Sequence, residues 1–443
     1  MKTVIIVGAG PCGLLMAHYL LRRDSKYCVE LYDKCPDPRL NPVSTARSYI
    51  ISLGFRGRAA LRELGLESLA IERGTMALGQ EIHNSRGVVQ SISRKQPRLM
   101  IERNVLTNLL LETLTKRYDA SRLKIHFKHE CISVDLKAKS AVFQSASGYQ
   151  PCAYDLLIGA DGVRSKVRNI LHHKTGLEVK LRKSPIEIKV LTVRCPENHP
   201  ELTLNRDNVH IYYLGAAGFL ACGPKPDGTY STLVGFTRGY NPLANISSAS
   251  EVLTFFRKYM GDFSQLISPE EVDAFAQKPF FETTTVRCSR YHFGNSVLLV
   301  GDAAHGVSAI IGQGCSAALE DGLVFNQLLD EYDDNLTQAI PKYSQRRRPD
   351  MIALEQISHS LFPLHAFLVS LMLLKHIVDR TLHRWFPKFW ASSLVDMISE
   401  TTIPYRNILH SHSRWFKTIN ALNQLILRRG KRSSKPKSML ESA

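Results

Sequence analysis

The chain has 443 residues, with ordinary globular fractions of hydrophobic (44%) and charged (22%) residues, so it can form two or three packed domains with large cores. Its formal net charge of +17 favours anionic partners, but no nucleic-acid-binding module is recognisable and we expect no nucleic-acid partner. Its scattered cysteines include no C-x-x-C pair, which favours reduced thiols in a cytoplasmic protein, and we expect no metal site.

The N-terminal segment has a β–turn–α–β pattern. Residues 3–8 predict a buried strand, residues 14–23 have helical spacing, and residues 28–34 predict a second strand, so we expect no signal or transit peptide ahead of them. A G-x-G-x-x-G turn separates the first strand from the helix, and an acid ends the second strand; these residues are Gly8, Gly10, Gly13 and Asp33. Such a turn places a pyrophosphate at a helix N-terminus, and the acid binds ribose hydroxyls. The segment predicts a dinucleotide site without separating FAD from NAD.

Two later segments also place an acid where a buried strand ends. Residues 154–168 run from a strand through Asp161 to a helix that opens at Ser165. Residues 296–305 end a strand at Asp302, and a loop containing Gly312, Gln313 and Gly314 opens the next helix. An acid there can hold ribityl hydroxyls, and the N–H groups of a helix start stabilise negative charge on a flavin ring.

These segments predict an α/β fold with a discontinuous Rossmann-like FAD-binding domain, an inserted, mostly antiparallel β-sheet substrate domain and a C-terminal helical region. We place the first part of the FAD-binding domain, with some strands of the substrate pocket, at residues 1–180. The substrate domain spans 181–285, the FAD-binding domain returns over 286–355, and the helical region with its basic tail spans 356–443.

In order and spacing, the three segments resemble those of the single-component (group A) flavoprotein monooxygenases over residues 1–350. Within that superfamily, residues 47–67, 210–236, 291–325 and, more loosely, 403–415 are most similar to the kynurenine 3-monooxygenases. The resemblance implies FAD as cofactor and NADPH or NADH as electron donor. It also implies that one oxygen atom of O₂ enters an electron-rich, aromatic small molecule through a flavin C4a-hydroperoxide. Because the flavin carries this chemistry, no catalytic side chain is assigned, and His305 is expected to be structural.

By position, the resemblance assigns eleven residues to the cofactor. Those for the ADP half of FAD are Gly8, Gly10, Gly13 and Asp33, with Arg47 and Arg103 on the phosphate or ribose side. Asp161 would act structurally, near the NADPH path. The ribityl chain and flavin ring would be bound by Asp302, Gly312, Gln313 and Gly314.

The departures from the resemblance lie where the substrate should bind. The arginine that binds the substrate carboxylate in these enzymes aligns with Gln80, and a tyrosine aligns with Pro97. A proline and an asparagine of the family align with Ala309 and Ser316, whereas a C-terminal tyrosine is retained as Tyr405. A buried carboxylate without its guanidinium would lose about 2–5 kcal/mol. We therefore expect a substrate other than kynurenine, with a neutral amide or hydroxyl group facing Gln80.

Two alternative functions stay open. One is an O₂-independent FAD-dependent reductase or dehydrogenase that acts on an isoprenoid-type substrate, and the other is a non-catalytic FAD-binding protein. A flavin-dependent halogenase is disfavoured because the W-x-W-x-I-P segment is absent.

The C-terminal region has two compatible interpretations. Residues 361–378 are strongly apolar, residues 383–390 are aromatic and basic, and residues 428–437 form a basic tail. They predict either helices packed over the substrate pocket or a peripheral membrane contact. No uninterrupted apolar run of about 18 residues exists, so we expect no membrane-spanning helix.

Overall fold

The computed structural model describes residues 1–40, 49–83, 89–194, 204–214, 218–244, 246, 248–361 and 366–433. Its first sheet contains six strands, in the spatial order β16 (His292–Phe293), β17 (Val297–Leu299), β10 (Leu156–Gly159), β1 (Lys2–Val7), β2 (Tyr27–Asp33) and β6 (Leu123–Phe127). All neighbours are parallel except β16 and β17. The sheet therefore joins strands from the N-terminal half of the chain with strands near residue 300.

The register of this sheet brings the acid-bearing segments together. Val7 at the end of β1 lies opposite both Gly159 and Tyr32, and Gly159 lies opposite Leu299. Because parallel strands end at the same edge, the loops after β1, β2, β10 and β17 meet there. This edge is where a ligand binds in open α/β sheets.

A second sheet has eight strands, in the order β15 (Phe281–Cys288), β11 (Val179–Arg194), β14 (Thr229–Thr237), β13 (Gly218–Pro224), β12 (Asn208–Tyr213), β4 (Thr75–His83), β5 (Val89–Glu102) and β3 (Ile50–Leu53). Among the described pairs, β4 and β12 are parallel and the others antiparallel. A small third sheet contains β7 (Glu130–Asp135), β8 (Ser140–Ser145) and β9 (Gly148–Ala153).

Histidines fix β4 to β12 in the second sheet. His210 donates through Nε2 to the Asn205 carbonyl at 2.8 Å, and its Nδ1 lies 3.0 Å from His83 Nε2 and 3.4 Å from a Glu81 carboxylate oxygen. Burial lowers the pKa of His210 and lowers that of His83 to about 4, so both imidazoles are neutral near pH 7. This cluster holds the part of β4 that carries Gln80 in register.

Fourteen α-helices are described. The first seven are α1 (Pro11–Leu21), α2 (Phe55–Arg62), α3 (Glu67–Glu72), α4 (Arg103–Arg117), α5 (Lys166–Thr175), α6 (Ala249–Met260) and α7 (Pro269–Gln277). The later ones are α8 (Asp302–His305), α9 (Gly314–Glu331), α10 (Leu336–Ser360), α11 (Ala366–Trp385), α12 (Leu394–Glu400), α13 (Tyr405–Ser411) and α14 (Ser413–Ser433). None of the described helices is both long and apolar enough to cross a membrane.

The buried faces of the helices show which elements they pack against. Helix α1 is apolar all round and all of its residues are buried, as expected for a helix enclosed between the first sheet and α9. The C-terminal helices α12 and α13 pack against α2, α10 and the end of β5. The predicted α/β architecture with a C-terminal helical region is thus confirmed. The domain boundaries at residues 180, 285 and 355 stay a prediction.

Candidate functional site

Three glycines form the turn between β1 and α1, and each has its own steric reason. Gly8 has a φ of +110°, and a Cβ there would lie 2.4 Å from the Ala160 carbonyl oxygen. A Cβ on Gly13 would lie 2.0 Å from the Gly8 carbonyl oxygen, so helix and strand approach closely here. At Gly10 the nearest such atom is Nη2 of Arg103, 3.8 Å away, so the space in front of this backbone is open.

The N-terminus of α1 is free to receive an anion. No side chain caps it, its first turn contains no acidic residue, and Pro11 begins the helix. Its uncapped N–H groups and the helix dipole therefore favour a phosphate at Gly10. Asp33 supports this turn, since one carboxylate oxygen accepts from the Ala9 N–H at 2.7 Å and the other from the Cys35 N–H at 2.7 Å. Each oxygen keeps a second lone pair that a ribose hydroxyl can use.

Arg103 and Asp302 lie close enough at the same edge for their charges to interact. Arg103 is exposed, and its guanidinium makes no hydrogen bond or ion pair with any part of the chain that the structure describes. Asp302 is also exposed to solvent, yet desolvation raises the pKa of its carboxyl, with the charges of His305 and Arg103 opposing the rise. A carboxyl that solvent reaches but that many protein atoms surround is recessed from the surface. Arg47 lies outside the described residues.

Asp161 has a local structural role. One of its oxygens accepts from the N–H groups of Lys166 and Val167, at 2.6 and 3.2 Å, and thereby holds the start of α5. Ser165 caps this helix by accepting from the Arg168 N–H at 2.9 Å, as the sequence predicts for a helix that opens there. The second Asp161 oxygen is buried without a partner in the described structure.

A buried charge network lies beneath the loops that follow β17. Arg347 donates to Asp321 and Glu320 at 2.8 Å each, and Glu320 also pairs with Arg56 at 2.6 Å. The second oxygen of Asp321 lies 2.6 Å from His305 Nε2 and accepts from the Gly301 N–H at 2.7 Å. Desolvation would raise the pKa of Asp321, but the charges of His305 and Arg347 overcome it and lower that pKa. The network therefore fixes the turn that presents Asp302.

This charge network was not identified from the sequence. A usable signal was present, because Glu320 and Asp321 interrupt an otherwise apolar helical pattern, and acids at such positions need buried cations. Their partners could not be chosen from sequence. Arg347 is one of three consecutive arginines, and Arg56 is more than 260 residues away from Glu320.

The C-terminal helices reach the loop at Gln313. The Tyr405 hydroxyl donates to Gln313 Oε1 at 3.2 Å, and both side chains are buried. The Arg56 guanidinium stacks 4.0 Å above the Tyr405 ring and donates to the Ile403 carbonyl. Gln313 Nε2 is buried without a partner in the described structure, so it can donate to a ligand in this loop.

The comparisons with known proteins agree with this geometry. A family model described as an FAD binding domain matches residues 1–358. The chain belongs to this FAD binding domain family. Similar curated proteins include kynurenine 3-monooxygenase of Sus scrofa, 27% identical over 94% of this chain and 88% of that protein, and violacein synthase of Chromobacterium violaceum, 26% identical over 94% and 99%.

Among solved structures, the tetrameric form of 2-methyl-3-hydroxypyridine-5-carboxylic acid oxygenase shares the fold, with a TM-score of 0.67, 20% identity and coverage of 89% of this chain and 95% of that one. PqsL of Pseudomonas aeruginosa, in complex with 2-aminobenzoylacetate, has a TM-score of 0.65, 20% identity and coverage of 81% and 95%. Several of its sequence relatives are monooxygenases, and the FAD binding domain model matches most of its length. The chain is therefore an FAD-dependent monooxygenase.

The cleft of this FAD-binding monooxygenase fits the cofactor. The open backbone at Gly10 and the uncapped helix suit a pyrophosphate, and the unpaired Arg103 guanidinium adds a positive charge beside it. Asp302 supplies an acceptor at the same edge, and the Gly312–Gly314 loop, which starts α9, supplies N–H donors. Gly312 itself is left-handed, with a φ of +62°.

The residues predicted to line the substrate pocket lie on several different elements, and their role in substrate binding stays a prediction. Ala309 packs beside the second sheet, against the cluster that includes Ile186 and Phe219. Ser316 is fully buried and faces α2, since a Cβ on Gly57 would lie 3.0 Å from its hydroxyl oxygen. The Pro97 carbonyl accepts from Arg58 at 2.7 Å, and the Tyr405 hydroxyl donates to Gln313.

Gln80 lies on β4 and lines a cavity of about 100 Å³ between the second sheet and the C-terminal helices. Tyr213, His376 and Trp415 also line this cavity. The Gln80 side chain has a cationic neighbour, because Arg94 of β5 donates to its Oε1 at 2.6 Å. Sequence comparison missed this arginine because it is supplied by the neighbouring strand rather than by the aligned position.

Proposed function

We propose that this protein uses NADPH or NADH and O₂ to insert one oxygen atom into an electron-rich aromatic molecule. The observation that carries the proposal is the group of residues at the edge of the first sheet: the open backbone at Gly10, the Arg103 guanidinium beside it, and Asp302, with whose carboxyl the Arg103 charge interacts. A dinucleotide bound along this edge would place its flavin end beside the loop at Gln313, which the C-terminal helices contact through Tyr405.

The residues that would hold FAD divide along its length. The turn at Gly8 and Gly10, together with Asp33 and Arg103, would bind the ADP half, and Asp302 would bind the ribityl chain. The chemistry that bound FAD would supply is acceptance of hydride from the nicotinamide and activation of O₂. The N–H groups at the start of α9 would stabilise negative charge that develops on the ring.

The protein's own contribution is to position and enclose the reactants. Tyr405, held by the Arg56 guanidinium, keeps Gln313 in place and closes the loop against the C-terminal helices. Asp321 fixes Gly301 and His305, so His305 acts as a structural residue. Fixed dipoles in an enclosed site accelerate oxygen transfer. Excluding water from the site also limits side reactions that would consume NADPH without forming product.

A substrate screen tests this function. Purified FAD-loaded protein is mixed with NADPH and a panel of aromatic amines and acids, and NADPH oxidation, O₂ uptake and product mass are recorded. The proposal expects one compound to stimulate all three signals, with a product heavier by one oxygen atom. A product formed without O₂ would favour the reductase alternative, and FAD binding without stimulated NADPH oxidation would favour the non-catalytic one.

We also propose that the segment from α11 to residue 390 rests on an anionic membrane surface. Large apolar side chains are exposed here, with Trp385 73% and Phe389 89% accessible, and Arg384 and Lys388 lie exposed among them. Aromatic and basic residues together suit the lipid–water interface, and the net charge of +17 adds long-range attraction.

Co-sedimentation with vesicles tests this contact. We expect binding to vesicles that contain phosphatidylserine, weaker binding to phosphatidylcholine alone, and loss of binding in the W385S/F389S double variant. Tyr149→Ser is the control, because Tyr149 is an aromatic residue that is 69% exposed on a different element, strand β9 of the third sheet. Equal binding by the control and the double variant would contradict the contact.

A further inference from the structure

Three side chains with metal-ligating atoms meet where strands β4 and β12 pair. They are Glu81 and His83 of β4 and His210 of β12, and one ligand atom from each lies within 4.8 Å of the other two. His210 Nδ1 is 3.0 Å from His83 Nε2 and 3.4 Å from a Glu81 carboxylate oxygen. None of the three belongs to the residues assigned to FAD, so oxygen transfer does not account for the group.

The register of the two strands explains why these side chains meet. Alternate residues of a strand point to the same face of its sheet, so Glu81 and His83 share one face of β4. His210 lies directly opposite Glu81 in the parallel pairing of β12 with β4. Residues opposite each other in neighbouring strands also share a face, so all three side chains project together. The paired strands therefore hold the group in place, as a precise binding site requires.

The hydrogen bonds around the group leave it rich in lone pairs. His210 Nε2 lies 2.8 Å from the Asn205 carbonyl oxygen, which can only accept, so Nε2 carries the proton and Nδ1 carries a lone pair. The hydrogen bond between the two rings then requires a proton on His83 Nε2. One N–H thus faces two acceptors, the His210 nitrogen and the Glu81 oxygen, which lie 3.4 Å apart and repel each other. A cation between the three atoms would remove this repulsion.

The Glu81 carboxylate has no cationic side chain of its own. Within the described residues, no lysine or arginine nitrogen lies within 4.0 Å of it. Its Oε1 accepts from Asn208 Nδ2 at 2.8 Å, and its Oε2 is the oxygen that faces His210. The Glu81 side chain is 14% exposed, whereas both histidines are more deeply buried, so an ion can enter from the side of Glu81.

The two rings are held in the way that metal-ligating histidines are held. A ligating imidazole usually donates its other N–H to a carbonyl or carboxylate, which fixes the ring and its tautomer. His210 does this through the Asn205 carbonyl, and the His83 ring stacks on Tyr212 with the ring centroids 4.3 Å apart. Ligands at about 2.0–2.1 Å from a tetrahedral ion are separated by about 3.3 Å, and the observed 3.0 and 3.4 Å are close to this spacing.

We propose that Glu81, His83 and His210 bind a divalent transition-metal ion, with Zn²⁺ as the best match. Two imidazole nitrogens and one carboxylate oxygen are a ligand set that Zn²⁺ uses, whereas Mg²⁺ and Ca²⁺ prefer oxygen ligands throughout. When the ion binds, the proton on His83 Nε2 moves to the other ring nitrogen or to solvent. The ion would brace β4 beside Gln80, which lines the cavity under the C-terminal helices.

This site goes beyond the oxygen-transfer reaction and replaces the sequence-based expectation of no metal site. The motif on β4 is only Glu-x-His, and the third ligand lies 127 residues further along the chain. Such a short motif carries little information until the pairing of β4 with β12 is known.

The test uses Zn²⁺ alone as the probe on FAD-loaded protein that has been treated with a chelator. Bound metal is counted by elemental mass spectrometry after dialysis, and the melting temperature is measured with and without Zn²⁺. We expect about one Zn²⁺ per chain with a dissociation constant of about 1 μM or lower, and a rise in melting temperature that Mg²⁺ does not produce. Because no turnover is measured, the result is independent of the proposed oxygen transfer.

Variants assign the ion to this group. Glu81→Gln keeps the size of the side chain and an acceptor for Asn208, so it should fold yet weaken Zn²⁺ binding about 100-fold. Asn208→Ala leaves the ligands in place but frees Glu81, and it should weaken binding about 10-fold. His173→Gln, at an exposed histidine of α5, is the control and should bind Zn²⁺ like the wild type.

A spectroscopic readout identifies the ligand atoms. With Cu²⁺ in place of Zn²⁺, we expect electron paramagnetic resonance to show coupling to two imidazole nitrogens in the wild type and to one in His83→Gln. Zn²⁺ binding that is equal in Glu81→Gln and the wild type would place the ion elsewhere and overturn the proposal, even if the histidine variant does not fold. Failure of the wild type to bind Zn²⁺ with a dissociation constant below about 100 μM would overturn it too.

Discussion

Replacing Arg347 with methionine tests the buried charge network beneath the loops that follow β17. The side chain is 2% exposed and donates to Asp321, Glu320 and the Ala317 carbonyl at 2.8, 2.8 and 3.0 Å. Methionine fills similar space but leaves two buried carboxylates with one cation fewer. Breaking a buried pair in this way costs about 3–5 kcal/mol, and we expect that loss in the free energy of unfolding.

The neighbouring residue provides the control. Arg346 pairs with Glu331 at 2.8 Å at the surface, where both side chains are well exposed, so Arg346→Met should cost about 1 kcal/mol or less. Urea denaturation followed by tryptophan fluorescence measures both variants on the FAD-free protein. Equal losses for the two, or a loss below about 1 kcal/mol for Arg347→Met, would refute the assignment of a buried ion network.

Three further predictions concern the cofactor cleft and the response to pH. Gly10→Ala should fold but weaken FAD binding about tenfold or more, whereas Gly13→Ala should fail to fold stably, because its Cβ would lie 2.0 Å from a carbonyl oxygen. Asp302→Ala should weaken FAD binding by about 1.5–3 kcal/mol, the value of a charged hydrogen bond. Burial lowers the pKa of His18 from 6.5 to about 4, so the protein should lose roughly 3 kcal/mol of stability as pH falls through that interval.

The sign of the pH effect follows from proton binding. Between pH 6.5 and 4 the unfolded chain protonates His18 while the folded protein does not, so acid favours unfolding. His18→Gln keeps a donor for the Leu110 carbonyl and should flatten the stability profile in this range. An unchanged profile would contradict the buried neutral histidine. Isothermal titration with FAD tests the cleft, and wild-type affinity in Gly10→Ala or Asp302→Ala would contradict the assigned roles.

The first sheet could be predicted from the sequence because its signals are local. The apolar run of β1, the glycine turn and Asp33 lie within 33 residues, and each later segment carries its own acid at a strand end. The periodicity of such short segments is set by burial on both faces of the sheet. The family comparison then added the identity of the dinucleotide.

The substrate side could not be predicted in the same way, because its contacts join distant parts of the chain. Arg94 of β5 donates to Gln80 of the neighbouring strand β4, and Tyr405 reaches Gln313 from the C-terminal helices. Position-by-position comparison detects a missing arginine but not its replacement from a neighbouring strand. Register and side-chain direction decide such contacts, and both depend on the assembled sheet.

The central claim is tested most directly by turnover under isotopically labelled O₂. The compound that most stimulates NADPH oxidation is incubated with the FAD-loaded protein, and the product is analysed by mass spectrometry. The account predicts one labelled oxygen atom per product molecule and one NADPH oxidised for each. A product without label, or one formed equally well without O₂, would contradict it.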